Sequence, residues 1–105
     1  MTDYELRVIE GCPNTVPALS LFRSALEAAG LPVKRLRVRV VTSERDAQEL
    51  GFQGSSSFIA AGKDLFPVVP VPAVSCRVYP SAGKMAGVPA FGSLLAAMLE
   101  SGQEA

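Results

Sequence analysis

Charged and apolar residues alternate from Tyr4 to Ile9, with Tyr4, Leu6 and Val8 set against Glu5 and Arg7 before Ile9 closes the run. A two-residue period of this kind predicts a strand covered on at least one face. After Gly11-Cys12-Pro13 the period changes. Leu19, Phe22 and Leu26, with Ala18, Ala25 and Ala29 beside them, recur at three- and four-residue spacings up to Gly30, which predicts a helix capped by Thr15 with Pro17 in its first turn. From Val33 to Val41 the two-residue period returns: Leu36, Val38 and Val40 alternate with Arg35, Arg37 and Arg39, as in a strand with one wet face. Ser43 is placed to cap the acidic first turn of a short helix that ends near Gly51. Two short strands follow, Ser57 to Ala60 and Asp64 to Phe66, joined by a turn at Gly62. A final helix from Phe91 to Ser101 carries Leu94, Leu95, Met98 and Leu99 on an apolar face, and no internal repeat is present.

Composition narrows the setting of this β-α-β-α-β-β-α series. With 105 residues, 49% of them hydrophobic, the chain is expected to form one domain around one core. Ten basic and ten acidic side chains cancel, so no overall charge steers the protein toward nucleic acid or an anionic membrane. The first residues lack the basic and apolar regions of a signal peptide, and the longest apolar stretch, FPVVPVPAV, is broken by prolines and too short to span a bilayer. A soluble cytoplasmic protein is expected, with its two cysteines kept reduced. Histidine is absent, which excludes Cys-His dyads and imidazole acid-base chemistry within one chain. Two thiols far apart in sequence make a poor metal site, so no metal is expected.

Cys12 is the residue with the clearest chemical potential. A cysteine just ahead of a helix lies near unpaired backbone N–H groups and the positive end of the helix dipole, both of which favour thiolate over thiol. The competing reading is a small apolar residue packed at a turn.

The order of elements, together with Gly11-Cys12-Pro13-Asn14, resembles the thioredoxin-like superfamily, in particular small glutaredoxin- and thioredoxin-like proteins whose first strand ends in Gly-Cys-Pro-Asn. Gly54-Ser55-Ser56-Ser57 is similar to a later Gly-Ser-Pro-Thr of such proteins, and Cys76-Arg77-Val78-Tyr79 to their Cys-Arg-x-Tyr. The likeness extends from about Asp3 to Ser101. It implies an α/β fold of three layers, α/β/α, with a four-stranded mixed sheet of order 4-3-1-2 in which strand 3 is antiparallel. It also implies a monothiol thiol-disulfide oxidoreductase with Cys12 as nucleophile. Thr15 would offer a hydroxyl where dithiol enzymes have a second cysteine, and Cys76 would be the candidate resolving thiol. Pro13, Asn14, Ser55, Ser56, Ser57 and Arg77 would contact substrate.

The expected partner is a disulfide-containing protein or a small-thiol mixed disulfide. No bound cofactor is expected, glutathione or another low-molecular-weight thiol serving as co-substrate. Ser56 stands where the resembling proteins place a cis-proline. Because a cis bond before serine costs roughly 3 to 4 kcal/mol, the Ser55–Ser56 peptide is expected to be trans, giving a looser loop, weak general reductase activity and a narrow substrate range.

Other features have two readings each. Lys34, Arg35, Arg37 and Arg39 form either a basic patch or the solvated face of a strand. The serines at 55 to 57 bind substrate or form a polar turn. Arg77 and Tyr79 orient a thiol or an anion, or pack a short extended segment. Five of the eight prolines fall between Pro67 and Pro89, so this insertion is either a stiff wall over Cys12 or a surface loop, and GKMAG within it reads as a flexible turn. The alternative function is a non-catalytic thioredoxin-like binding module or a thiol-based redox sensor.

Overall fold

The N-terminal alternation forms β1 (Tyr4–Ile9), and the three- and four-residue spacing after it forms α1 (Thr15–Ala28). The structure, a computed structural model, describes residues 3–50, 52, 54–66, 79–81 and 84–102. The remaining elements are β2 (Leu36–Val41), α2 (Glu44–Leu50), β3 (Ser57–Ala60), β4 (Lys63–Asp64), β5 (Tyr79–Ser81), β6 (Lys84–Ala86) and α3 (Phe91–Gly102). The molecule is mixed α/β, with a four-stranded mixed sheet in the order β2-β1-β3-β4 and a separate β5–β6 hairpin. β1 and β2 run parallel from Tyr4↔Leu36 to Ile9↔Val41, whereas β3 is antiparallel to β1 and β4 antiparallel to β3.

Side-chain alternation divides the core between the two faces of this sheet. Tyr4, Leu6 and Val8 of β1 with Phe58 and Ala60 of β3 meet Ala18, Phe22, Ala25 and Leu26 of α1 and Leu94 and Met98 of α3. Phe58 is the centre of an aromatic cluster, its ring 5.1 Å from Phe22, 5.8 Å from Tyr79 and 6.3 Å from Phe66, with Tyr4 6.0 Å from Phe22. On the opposite face Ile9 and Val41 pack against Ala47, Leu50 and Phe52, so α2 covers one end of the sheet. Ser43 caps α2 as its position predicts, its Oγ accepting from the Asp46 N–H at 3.1 Å.

Several sequence expectations are corrected. Residues Val33–Arg35 form a 3-10 turn closed by the Arg35 N–H on the Pro32 carbonyl, so β2 begins at Leu36 instead of Val33. The last strand of the main sheet is Lys63–Asp64, not 64–66; the Asp64 carboxylate accepts from the Phe66 N–H and turns the chain away. Thr15 does not cap α1: Asn14 is the N-cap and Thr15 the first helical residue. The KMA of GKMAG is strand β6, paired with β5 through Tyr79↔Ala86 and Ser81↔Lys84, and not a flexible turn. Leu99, expected on the buried face of α3, is 50% exposed, and Val38 and Val40 are 46% and 47% exposed, so the middle of β2, Arg37 to Val40, is exposed on both faces. The rest of the Pro-rich insertion, 67–78 and 82–83, lies outside the described residues.

The topology gathers loops at one edge. Parallel β1 and β2 end on the same side, α1 and α2 start there, and antiparallel β3 begins there opposite Arg7 of β1. α1 departs over one face and α2 over the other, so β1 lies at the point where the chain's winding reverses. In open α/β sheets, ligands bind beyond the carboxyl ends of the strands at such a reversal.

Candidate thiol site

Cys12 occupies this edge, between the end of β1 and the start of α1. Two consecutive turns share it. Its N–H donates to the Ile9 carbonyl at 3.3 Å, closing a turn in which Gly11 takes φ 73, a left-handed conformation that a side chain disfavours. Its own carbonyl accepts from the Thr15 N–H at 3.2 Å, closing a second turn with Pro13 at the position whose φ proline pre-sets. The Gly-Cys-Pro order thus has a local physical cause: each neighbour supplies the dihedral that its turn requires. Cys12 is 8% exposed.

Asn14 follows with φ −91 and ψ −2 and makes no side-chain cap bond, although its carbonyl accepts the Ala18 N–H at 2.9 Å. Its amide lies against Gly87, just beyond β6, where a Cβ would fall 2.3 Å from Oδ1. α1 has no acidic residue in its first turn, so no carboxylate there offsets the positive end of its dipole. An open groove of about 340 Å³ runs along α1 from Thr15 and Val16 past Leu19 and Ser20 to Arg23. Val16, one turn from the thiol, is 77% exposed. A smaller cavity of about 160 Å³, lined by Arg7, Leu50 and Phe52, lies on the α2 side of the sheet.

The loop before β3 is tied to the same turn. Ser55 Oγ accepts from the Ile9 N–H at 3.1 Å, and Ile9 is the residue whose carbonyl holds Cys12. The Ser55–Ser56 peptide is cis, which corrects the trans expectation and removes the looser loop inferred from it. The preference of an isolated peptide bond gives way here to tertiary contacts on both sides: Ser55 is held by Ile9, and the Ser56 carbonyl accepts a hydrogen bond from the Tyr79 hydroxyl of β5. Ser57 Oγ donates to the Gly54 carbonyl at 2.6 Å. All three serines are buried, and among the described residues Ser56 Oγ has no hydrogen-bond partner.

Of the expected site residues, then, the fold brings Cys12, Pro13, Asn14 and Thr15 together and links Ser55 to them through Ile9. Pro13 is exposed and Asn14 and Thr15 are half-buried. The tie from Thr15 to Cys12 runs through its backbone N–H. Ser55 and Ser57 turn their hydroxyls to the protein's own main chain, which is the polar-turn reading of this segment. Cys76 and Arg77 lie outside the described residues. Sequence reasoning missed Gly87, whose signal was a glycine between a Lys-Met-Ala strand and a Val-Pro helix entry. Tyr79, left open between orienting a thiol or an anion and packing, packs: it stacks edge-on against Phe58 and Phe66 at 5.8 and 5.4 Å, and its hydroxyl donates to the Ser56 carbonyl.

Among the described residues no cluster of three or more His, Cys, Asp or Glu side chains is arranged to hold a metal ion, and no helix is long and apolar enough to cross a membrane. No protein-family model, no curated protein and no solved structure matches the chain.

Proposed function

We propose that the protein is a monothiol, thioredoxin-like thiol-disulfide oxidoreductase with Cys12 as its nucleophile. The observation that carries the reading is the position of Cys12, held by its own N–H and carbonyl in two shared turns at the mouth of α1. The strand order, with β3 antiparallel and a helix on each side of β1, is the one the thioredoxin-like resemblance implies and supports it.

In the reaction the Cys12 thiolate attacks one sulfur of a substrate disulfide. The substrate S–S bond breaks, its second sulfur leaves as a thiolate, and a mixed disulfide joins substrate to Cys12. Release takes one of two routes: Cys76 attacks the Cys12 sulfur, the substrate leaves as a thiolate and a Cys12–Cys76 disulfide remains for two external thiols to reduce; or glutathione or a similar small thiol displaces the substrate thiolate from Cys12, and a second such thiol attacks that adduct, forming the small-molecule disulfide and returning Cys12 as thiolate. The groove along α1, with exposed Val16 at its thiol end, gives an extended substrate a surface to lie on.

One observation favours a second reading, a non-catalytic thioredoxin-like module or redox sensor: Cys12 is only 8% exposed, and burial slows exchange with bulky disulfides. Turnover separates the two. Reduction of a glutathione mixed disulfide, with glutathione as reductant, is expected from the wild type and from Cys76→Ser, and is expected to fall to the uncatalysed rate in Cys12→Ser. Wild-type turnover that survives Cys12→Ser overturns the proposal; binding of the substrate with no turnover by any variant selects the second reading.

A further inference from the structure

We infer that the outer edge of β2 is a docking site for an extended peptide that carries carboxylates on one side and apolar side chains on the other. The inference is independent of the thiol chemistry. β2 ends the four-stranded sheet, and among the described residues it pairs with β1 on one side only, so its other side offers backbone donors and acceptors to an added strand. The side chains of its middle residues, Arg37 to Val40, are also exposed on both faces. Val38 and Val40, in register with Leu6 and Val8, are 46% and 47% exposed even though they share the face on which α1 and α3 pack.

On the opposite face stand Arg37 and Arg39, beside Glu5 and Arg7 in the ladder. Glu5 is already engaged by Arg7, whose Nε donates to its carboxylate at 2.5 Å while Nη1 donates to the Leu50 carbonyl at 3.1 Å. Arg35 is paired with Asp3 at 3.4 Å. Arg37 and Arg39 therefore remain without an ion pair among the described residues, two cations spaced to meet alternate residues of one added strand.

Charge decides the occupant. A second copy pairing antiparallel through the same edge would set Arg37 opposite Arg39 when centred on Val38, or Arg39 opposite Arg39 when centred there, and like charges directly across a ladder are destabilising. An acidic strand reverses the sign: its carboxylates meet the arginines while its apolar residues cover Val38 and Val40. The two residue types on β2 thus select a peptide that alternates in the same way.

The test uses capped eight-residue peptides that alternate valine with glutamate or valine with lysine, added to the full chain and followed by amide hydrogen exchange and titration. The glutamate peptide is expected to slow exchange within residues 36–41 and to bind about tenfold more tightly than the lysine peptide. Arg37→Glu with Arg39→Glu is expected to reverse that preference, and Arg37→Gln with Arg39→Gln, which introduces no new charge, to abolish it. No protection of residues 36–41 by the glutamate peptide, protection elsewhere only, or a preference unchanged by both double variants overturns the proposal. Self-association that protects the same amides without peptide would assign the edge to a second copy and overturn it as well.

Discussion

Gly11 and Gly87 flank the thiol turn for different physical reasons, and their substitutions should behave differently. Gly11 has φ 73 and nothing within 4 Å of where a Cβ would stand, so Gly11→Ala is opposed by backbone conformation alone. Its expected cost is about 1 kcal/mol. A Cβ on Gly87 instead meets the Asn14 amide at 2.3 to 2.4 Å, so Gly87→Ala must displace a side chain that can rotate, at a cost of about 1 to 3 kcal/mol. Urea unfolding of both variants in wild-type and Asn14→Ala backgrounds checks the distinction. Asn14→Ala should relieve most of the Gly87→Ala cost and none of the Gly11→Ala cost; equal relief of both, or of neither, would be inconsistent with this geometry. The turn itself was legible in the sequence because glycine and proline are punctuating residues. The contact of Gly87 with Asn14 was not, since it joins positions that only the fold brings together.

At the scale of elements, local signals succeeded where one local interaction decides the structure. Ser43 was readable as a cap because the bond it makes, to the Asp46 N–H, spans only three residues. Ser43→Ala should lower stability by about 0.5 to 2 kcal/mol, measured by thermal or urea unfolding, with Ser43→Gly closer to wild type. A change within error for Ser43→Ala would mean that the cap bond contributes nothing. Boundaries failed where two local preferences competed. The alternation from Val33 continues through β2, yet Pro32 starts a 3-10 turn that claims Val33–Arg35 first. The β5–β6 pairing was hidden inside a proline-rich stretch read as a stiff wall or a surface loop, although the Ala-Gly-Lys of residues 82–84 is also the Ala61-Gly62-Lys63 that turns β3 into β4. Ala61 and Gly62 take φ 50 and 79 there, as a two-residue hairpin turn requires.

At the scale of the whole molecule, Tyr79 joins three parts of the fold. It lies on β5, its ring packs with Phe58 and Phe66, and its hydroxyl holds the Ser56 carbonyl in the loop that Ser55 ties to Ile9. Tyr79→Phe keeps the ring contacts and leaves a buried carbonyl without its donor. A loss of about 1 to 3 kcal/mol is expected in urea unfolding with an unchanged denaturant slope; no loss would mean that the hydroxyl is not a tie. None of this linkage was legible in the sequence, because it depends on contacts between residues 9, 55, 56 and 79. What the sequence did show is the thiol, at the edge where β1 gives way to α1.

If the Cys12 thiol attacks disulfides as proposed, its first covalent product can be trapped. Reduced wild type, Cys12→Ser and Cys76→Ser would each be treated with excess glutathione disulfide, quenched with acid and mapped by mass spectrometry. A glutathione mixed disulfide is expected on Cys12 in Cys76→Ser, and in the wild type either that adduct or the internal disulfide that resolves it. No accelerated reaction is expected in Cys12→Ser. Modification confined to Cys76, or an unmodified Cys12 in every sample, would contradict the proposal.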